Sequence, residues 1–135
     1  MDPIKVFCYF NLHKQVWSVR AMEGPSKGLV IAHREYVSLL DVTAKISEAG
    51  RQRVIREGKK NVHAGLVGFW NDETITPQQL GAYVGSYQIH YNPYKYKTFV
   101  HFNPSGPQPF TGARLVKLSA PERAVNVYLI ATQYN

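Results

Sequence analysis

The sequence predicts an α+β fold: a single domain over residues 1–135, mostly antiparallel sheet, with one main basic helix and one short helix. Three observations carry this reading. Runs of β-branched and aromatic residues recur along the chain, broken by Gly, Pro and Asn, which is the pattern of short strands. Two stretches begin with helix-start chemistry. The length of 135 residues and an apolar content of 44% suit one folded domain with a real core.

The elements follow in order. Residues 4–10 read as a strand, 11–15 as a polar hairpin loop, and 16–22 as a second, alternating strand. Alternation puts Val16, Ser18 and Arg20 on one face of that strand and Trp17 and Val19 on the other. Gly24-Pro25-Ser26-Lys27-Gly28 is a turn by composition. Residues 29–33 and 37–46 are the third and fourth strands. Ser47 is an N-cap, Glu48 sits favourably in the first helical turn, and Gly58 is a natural stop that leaves Lys59, Lys60 and Asn61 in a loop. Residues 62–70 form a strand into the core, where Gly65 and Gly68 imply a bulge or a close backbone approach. Thr76-Pro77-Gln78-Gln79 starts the short helix, which ends near Val84-Gly85. Asn92-Pro93 makes a turn, residues 103–109 read as a loop, and 114–118 and 125–132 as closing strands.

Composition excludes several classes. The single cysteine, Cys8, allows no internal disulfide and no zinc knuckle, and its apolar surroundings mark it as buried and inert. No window approaches the roughly 20 apolar residues of a membrane helix. The N-terminus lacks the basic-then-apolar layout of a secretion signal, so a soluble intracellular protein without membrane association is expected. There is no Walker A loop, dinucleotide-binding glycine pattern or H-E-x-x-H motif. The nine carboxylates are scattered, and His13, His33, His63, His90 and His101 lie far apart. Neither a metal nor a cofactor is therefore expected.

Charge is the strongest functional signal. Between Arg51 and Lys60 stand five cations and one anion, a local +4 out of a chain total of +7. On a helix, Arg53, Arg56 and Lys60 share one arc, with Val54 and Ile55 opposite and Arg51 between those two apolar residues. An arginine in that position either snorkels out along its stem or holds a buried anion. The arc itself reads as a solvated helix face or as a phosphate-binding surface. Between Tyr83 and Phe102, tyrosines and phenylalanines interleave with His90, Lys95, Lys97 and His101. That composition suits base stacking with phosphate contacts, and equally a tyrosine-rich structural hairpin. His13 beside Lys14, and His63 beside Asn61, also supply the groups for metal-free phosphodiester chemistry: one imidazole as base, the other as acid, a cation on the developing charge.

The patches Asn11-Leu12-His13-Lys14, Gly50-Arg51-Gln52-Arg53-Val54, Lys60-Asn61-Val62-His63-Ala64 and Tyr91-Asn92-Pro93-Tyr94-Lys95-Tyr96 resemble a family of small tailed-phage proteins of no settled activity. The resemblance spans about the first hundred residues, and the tail after Phe102 differs from what it leads one to expect. It implies a phage or prophage origin and residence in the cytoplasm of the infected bacterium. By analogy it also implies an accessory role against host defence, where nucleotide signals are bound or destroyed. The expected function is capture of a phosphate-bearing ligand, a nucleotide or cyclic-nucleotide signal or a short RNA. The expected binding residues are Lys14, Arg51, Arg53, Arg56, Lys60, Asn61, Tyr91, Asn92 and Tyr94, with His13 and His63 as the catalytic pair if the protein is an enzyme. The alternatives are sequence-nonspecific nucleic-acid binding and a metal-independent phosphodiesterase.

Overall fold

The computed structural model describes residues 2–11, 13–58, 62–72, 87–119 and 129–134. Their strands are β1 (Ile4–Asn11), β2 (Val16–Ala21), β3 (Val30–Arg34), β4 (Tyr36–Ile46), β5 (Ala64–Trp70), β6 (Tyr87–Tyr91), β7 (Val100–Asn103), β8 (Gly106–Pro109), β9 (Ala113–Ser119) and β10 (Leu129–Tyr134). The helix α1 (Glu48–Glu57) lies between β4 and β5. All ten strands join one sheet in the order β3-β2-β1-β5-β4-β9-β10-β6-β7-β8, and every pairing is antiparallel.

The antiparallel sheet and basic helix match the reading of the sequence, but the α+β class needs correcting. Among the described residues a single helix accompanies ten strands, so the molecule is sheet-rich. The short helix expected over 76–85 lies outside the described residues.

Residues 103–109 are also not the loop that their prolines suggest. Asn103 pairs with Gly106 and Val100 with Pro109, closing a tight β7–β8 hairpin. Its turn is set by Asn103 Oδ1, which accepts from the Ser105 amide at 2.8 Å, and by Gly106 at φ +108°. β8 ends the sheet and has a neighbour on one side only. Proline, which cannot donate to a ladder, is tolerated in such an edge strand.

The core is built from alternate residues. Val6 and Cys8 of β1 sit opposite Ala21 and Val19 of β2, and Cys8 also faces Leu66 of β5. These join Trp17, Leu39, Val116 and Leu118, with Ile89, Tyr91 and Phe99 from the far half of the sheet, in one buried cluster. Cys8 has no exposed surface, and burial pushes its thiol pKa well up, so it stays protonated.

Phe7, Tyr9 and Arg20, one residue out of phase, share the opposite face. Gly65 makes room there. A Cβ at that position would stand 2.5 Å from the Cys8 carbonyl oxygen and 2.6 Å from two ring carbons of Phe7. The close approach read from the sequence is therefore real, and it comes from the Cys8 backbone carbonyl together with the Phe7 ring.

Helix α1 is bounded as its local chemistry dictates. Ser47 Oγ accepts from the Gly50 amide at 3.1 Å, and Gly58 takes the left-handed conformation at φ +66° while its amide donates to Val54 O. The Ser47 amide donates to His63 O at 2.7 Å, tying the helix start to the chain entering β5. A Cβ on Gly50 would lie 2.7 Å from His63 Cβ, so the glycine inside the helix is what lets α1 sit against His63.

Candidate functional site

Arg51, placed by the helical pattern between Val54 and Ile55, neither snorkels nor waits for an anion. It is 7% exposed. Its Nε donates to Pro93 O and Tyr96 O, both at 2.9 Å, and a terminal nitrogen donates to Glu48 Oε1 at 2.8 Å. The guanidinium thus clasps the chain between β6 and β7 and cancels its charge against a carboxylate one helical turn back. Glu48 also accepts from Gln52, and that hydrogen bond, with Arg51 and Lys97 close by, holds its carboxyl below the usual range.

Arg53 and Arg56 are exposed on the outer side of α1. Lys60 and Asn61 lie outside the described residues.

His63 is buried, and its Nε2 lies 2.6 Å from the Tyr91 hydroxyl, a short hydrogen bond inside the protein. Asn92 caps the next turn, its Oδ1 accepting from the Tyr94 amide at 2.9 Å, while the Tyr94 ring is exposed. His13 and Lys14 are exposed in the β1–β2 turn, where both amides donate to Asn11 Oδ1 at 3.0 Å. The β1–β5 register sets Cys8 opposite Leu66. That pairing ends three residues short of both Asn11 and His63, so the hairpin tip and His63 lie toward the same end of the β1–β5 pair.

Of the expected residues that are described, His63 meets Tyr91 and Arg51 reaches the turn that follows it, while His13, Lys14, Arg53, Arg56 and Tyr94 are exposed. A groove of about 420 Å³ does form beside His63, and its walls include Phe7, Arg20, Lys27, Lys45, Val62 and His63. Among the described residues no carboxylate lines it. Arg20 lies over two rings, its guanidinium carbon 5.5 Å from the Phe7 centroid and 5.6 Å from that of Tyr9. Lys45 Nζ stands 5.8 Å from the same Phe7 ring.

The described ion pairs join Arg34 to Asp72 and Arg51 to Glu48, and neither uses Arg20, Lys27 or Lys45. Among the described residues, Arg20 and Lys45 beside the Phe7 ring and Lys27 on the same wall give the groove a net positive charge.

The sequence reading missed Arg20, Lys27 and Lys45. Alternation placed Arg20 on the face opposite Trp17 and Val19. What could not be read is that β1 and β5 come between β2 and β4 and bring Arg20 and Lys45 to either side of Phe7.

The fold and groove together define a small antiparallel-sheet protein with one capped helix and an unneutralised cationic cleft. The chain belongs to the family described as Mycobacterium phage L5 gene 82 protein, whose model matches residues 1–126. It is similar to the gene 82 protein of Mycobacterium phage L5, at 45% identity over 123 residues, covering 87% of this chain and 91% of that protein. No solved structure shows significant similarity. The phage resemblance seen in short patches is thus a phage protein family, and the match continues past Phe102, beyond the hundred residues the patches marked out. Among the described residues no helix is long and apolar enough to cross a membrane.

Proposed function

We propose that this phage protein binds a phosphate-bearing ligand in the groove between the Arg20 and Lys45 side chains. The supporting observation is Arg20 and Lys45 on either side of Phe7 and Lys27 on the wall, with no carboxylate among the described lining residues. Arg20 is preorganised by its two aromatic neighbours, so less ordering cost opposes binding, and its planar fork suits phosphate oxygens. Lys27 and Lys45 add point charges from two sides. A volume of about 420 Å³ is within the range of small-molecule sites and admits a nucleotide. In the cytoplasm of an infected bacterium, such a protein would act as an accessory factor that sequesters a nucleotide signal of host defence.

The test is thermal melting against mono-, di- and cyclic nucleotides. A ligand at 100 times its dissociation constant stabilises the fold by about 2.7 kcal/mol, and the Arg20→Ala/Lys45→Ala double variant should lose that shift. No shift with any nucleotide, or an equal shift in the double variant, counts against the groove.

One observation favours a second reading. His63 borders the same groove with its Nε2 on the Tyr91 hydroxyl, an imidazole oriented by a second polar group. A metal-independent phosphodiesterase would then cleave nucleotides in the presence of EDTA and lose turnover in His63→Ala and in His13→Ala. Activity retained by His63→Ala ends that assignment.

A further inference from the structure

We infer that the turn at residues 93–97, together with Phe102 of β7, is a stacking platform for single-stranded nucleic acid, with Arg51 as its positioning residue. This surface is separate from the groove and does not depend on the reading given to it.

The turn is unusually well determined for a surface segment. Asn92 O accepts from the amides of Lys95 and Tyr96 at 3.1 and 2.8 Å, and Asn92 Oδ1 accepts from Tyr94. Beneath these local bonds the buried Arg51 guanidinium holds the carbonyls of Pro93 and Tyr96. Taking a charge out of water is costly, and a surface turn closed by its own amides does not require it. What the clasp gains is a fixed display of the residues between those two carbonyls. Rigid presentation of side chains lowers the ordering cost of binding.

The exposed residues of the turn, with Phe102 of β7, are aromatic and cationic. Tyr94 and Phe102 are each 52% exposed, and Lys95 and Lys97 project into solvent. Phe102 is supported from behind, its ring 6.2 Å from Tyr96 in an edge-on arrangement and 5.5 Å from His90. No Asp or Glu occurs between Glu73 and Glu122, while Lys95 and Lys97 stand in the turn itself. The nearby carboxylate from elsewhere in the chain, Glu48, is engaged by Arg51 and Gln52. Exposed aromatic faces flanked by lysines fit bases that are free to stack and a backbone of phosphates. A duplex hides its base faces and would use only the lysines.

The experiment measures fluorescence anisotropy of labelled oligo(dT) and oligo(rU) of about 12 nucleotides, with a duplex of equal length as comparison. The single strands should bind more tightly than the duplex. Tyr94→Ala and Phe102→Ala, both at exposed positions, should each weaken binding about tenfold. Lys95→Ala with Lys97→Ala should flatten the slope of log K against log salt by about 1.4. Arg20→Ala/Lys45→Ala should leave oligonucleotide affinity within about twofold, because those residues belong to the groove.

For Arg51, the readout is local. Arg51→Lys, kept below its melting temperature with unchanged circular dichroism, should speed amide exchange at residues 92–97 and weaken the oligonucleotide, without faster exchange in β1 or β5. Absence of single-strand binding at low salt overturns the proposal, as does equal affinity for duplex or wild-type affinity in both aromatic variants. Oligonucleotide binding lost only in the groove variant overturns the platform and leaves the groove reading standing. Unchanged exchange at 92–97 in Arg51→Lys removes Arg51 from its positioning role.

Discussion

Replacing Arg51 with methionine is expected to destabilise the protein by about 3 kcal/mol, one of the two largest losses of any single change considered. The reason lies in what the guanidinium leaves behind. Pro93 O, in a buried setting, and Tyr96 O, in a part-buried one, share the Nε–H at 2.9 Å each. Methionine fills much of the volume but donates nothing, and each buried acceptor deprived of its donor costs roughly 1–3 kcal/mol. Loss of the ion pair adds little, because the Glu48 carboxylate is half exposed and solvent compensates it. Lysine should rescue only part of the loss, since one ammonium cannot reproduce the planar fork that reaches both carbonyls and Glu48. Urea unfolding of the three proteins provides the check. A loss below about 1 kcal/mol for the methionine variant would mean that the clasp contributes nothing beyond packing.

Gly65→Ala should be comparably severe, again about 3 kcal/mol, through overpacking and not through lost bonding. The added methyl meets the Cys8 carbonyl oxygen at 2.5 Å and the Phe7 ring at 2.6 Å. A flexible side chain can swing away, but Cys8 lies within the β1 ladder between β2 and β5 and its carbonyl cannot move without breaking pairings. Relieving the ring alone is therefore insufficient. The Phe7→Ala/Gly65→Ala double variant should recover little of the stability lost by Gly65→Ala. Denaturant midpoints of the two single variants and the double decide the matter. Full recovery in the double would show that the ring, and not the backbone, sets the constraint.

The two variants also separate the functional surfaces. Arg51 underlies the Tyr94–Phe102 side of the sheet, whereas Gly65 underlies the Phe7 floor of the groove. Loosening the first should affect the oligonucleotide and spare nucleotide binding. Loosening the second should do the reverse.

Much of the fold was legible because it is written in short-range terms. Alternation in residues 16–21 gave the two faces of β2 correctly, since the strand period of two is a property of the backbone itself. Ser47 and Gly58 marked the ends of α1 to within a residue, because capping involves amides only three or four positions away. The error at residues 103–109 has an equally local origin. Prolines read as loop, but in an edge strand the missing donor is tolerated, and only the sheet order reveals that β8 is an edge.

The site was far less legible. Arg51 drew attention correctly as a cation on the wrong side of its helix, but the two carbonyls it holds lie 42 and 45 residues further on. The described arginines of the basic run are divided by the fold between a buried clasp, Arg51, and the exposed Arg53 and Arg56. Arg20 and Lys45, which carry no motif and stand 25 residues apart in the sequence, become neighbours of one phenylalanine ring.

What the sequence determined by itself is the strands β1 to β5, β9 and β10, the capped helix, the buried cysteine and the excess of positive charge. All of these follow from backbone periods, local capping bonds and composition. Only the tertiary structure decided which cations are spent on holding the chain together and which remain unpaired around an aromatic floor. The physical reason is that a charge is defined by its neighbours, and in an antiparallel sheet those neighbours are set by strand order and register, which no local segment encodes.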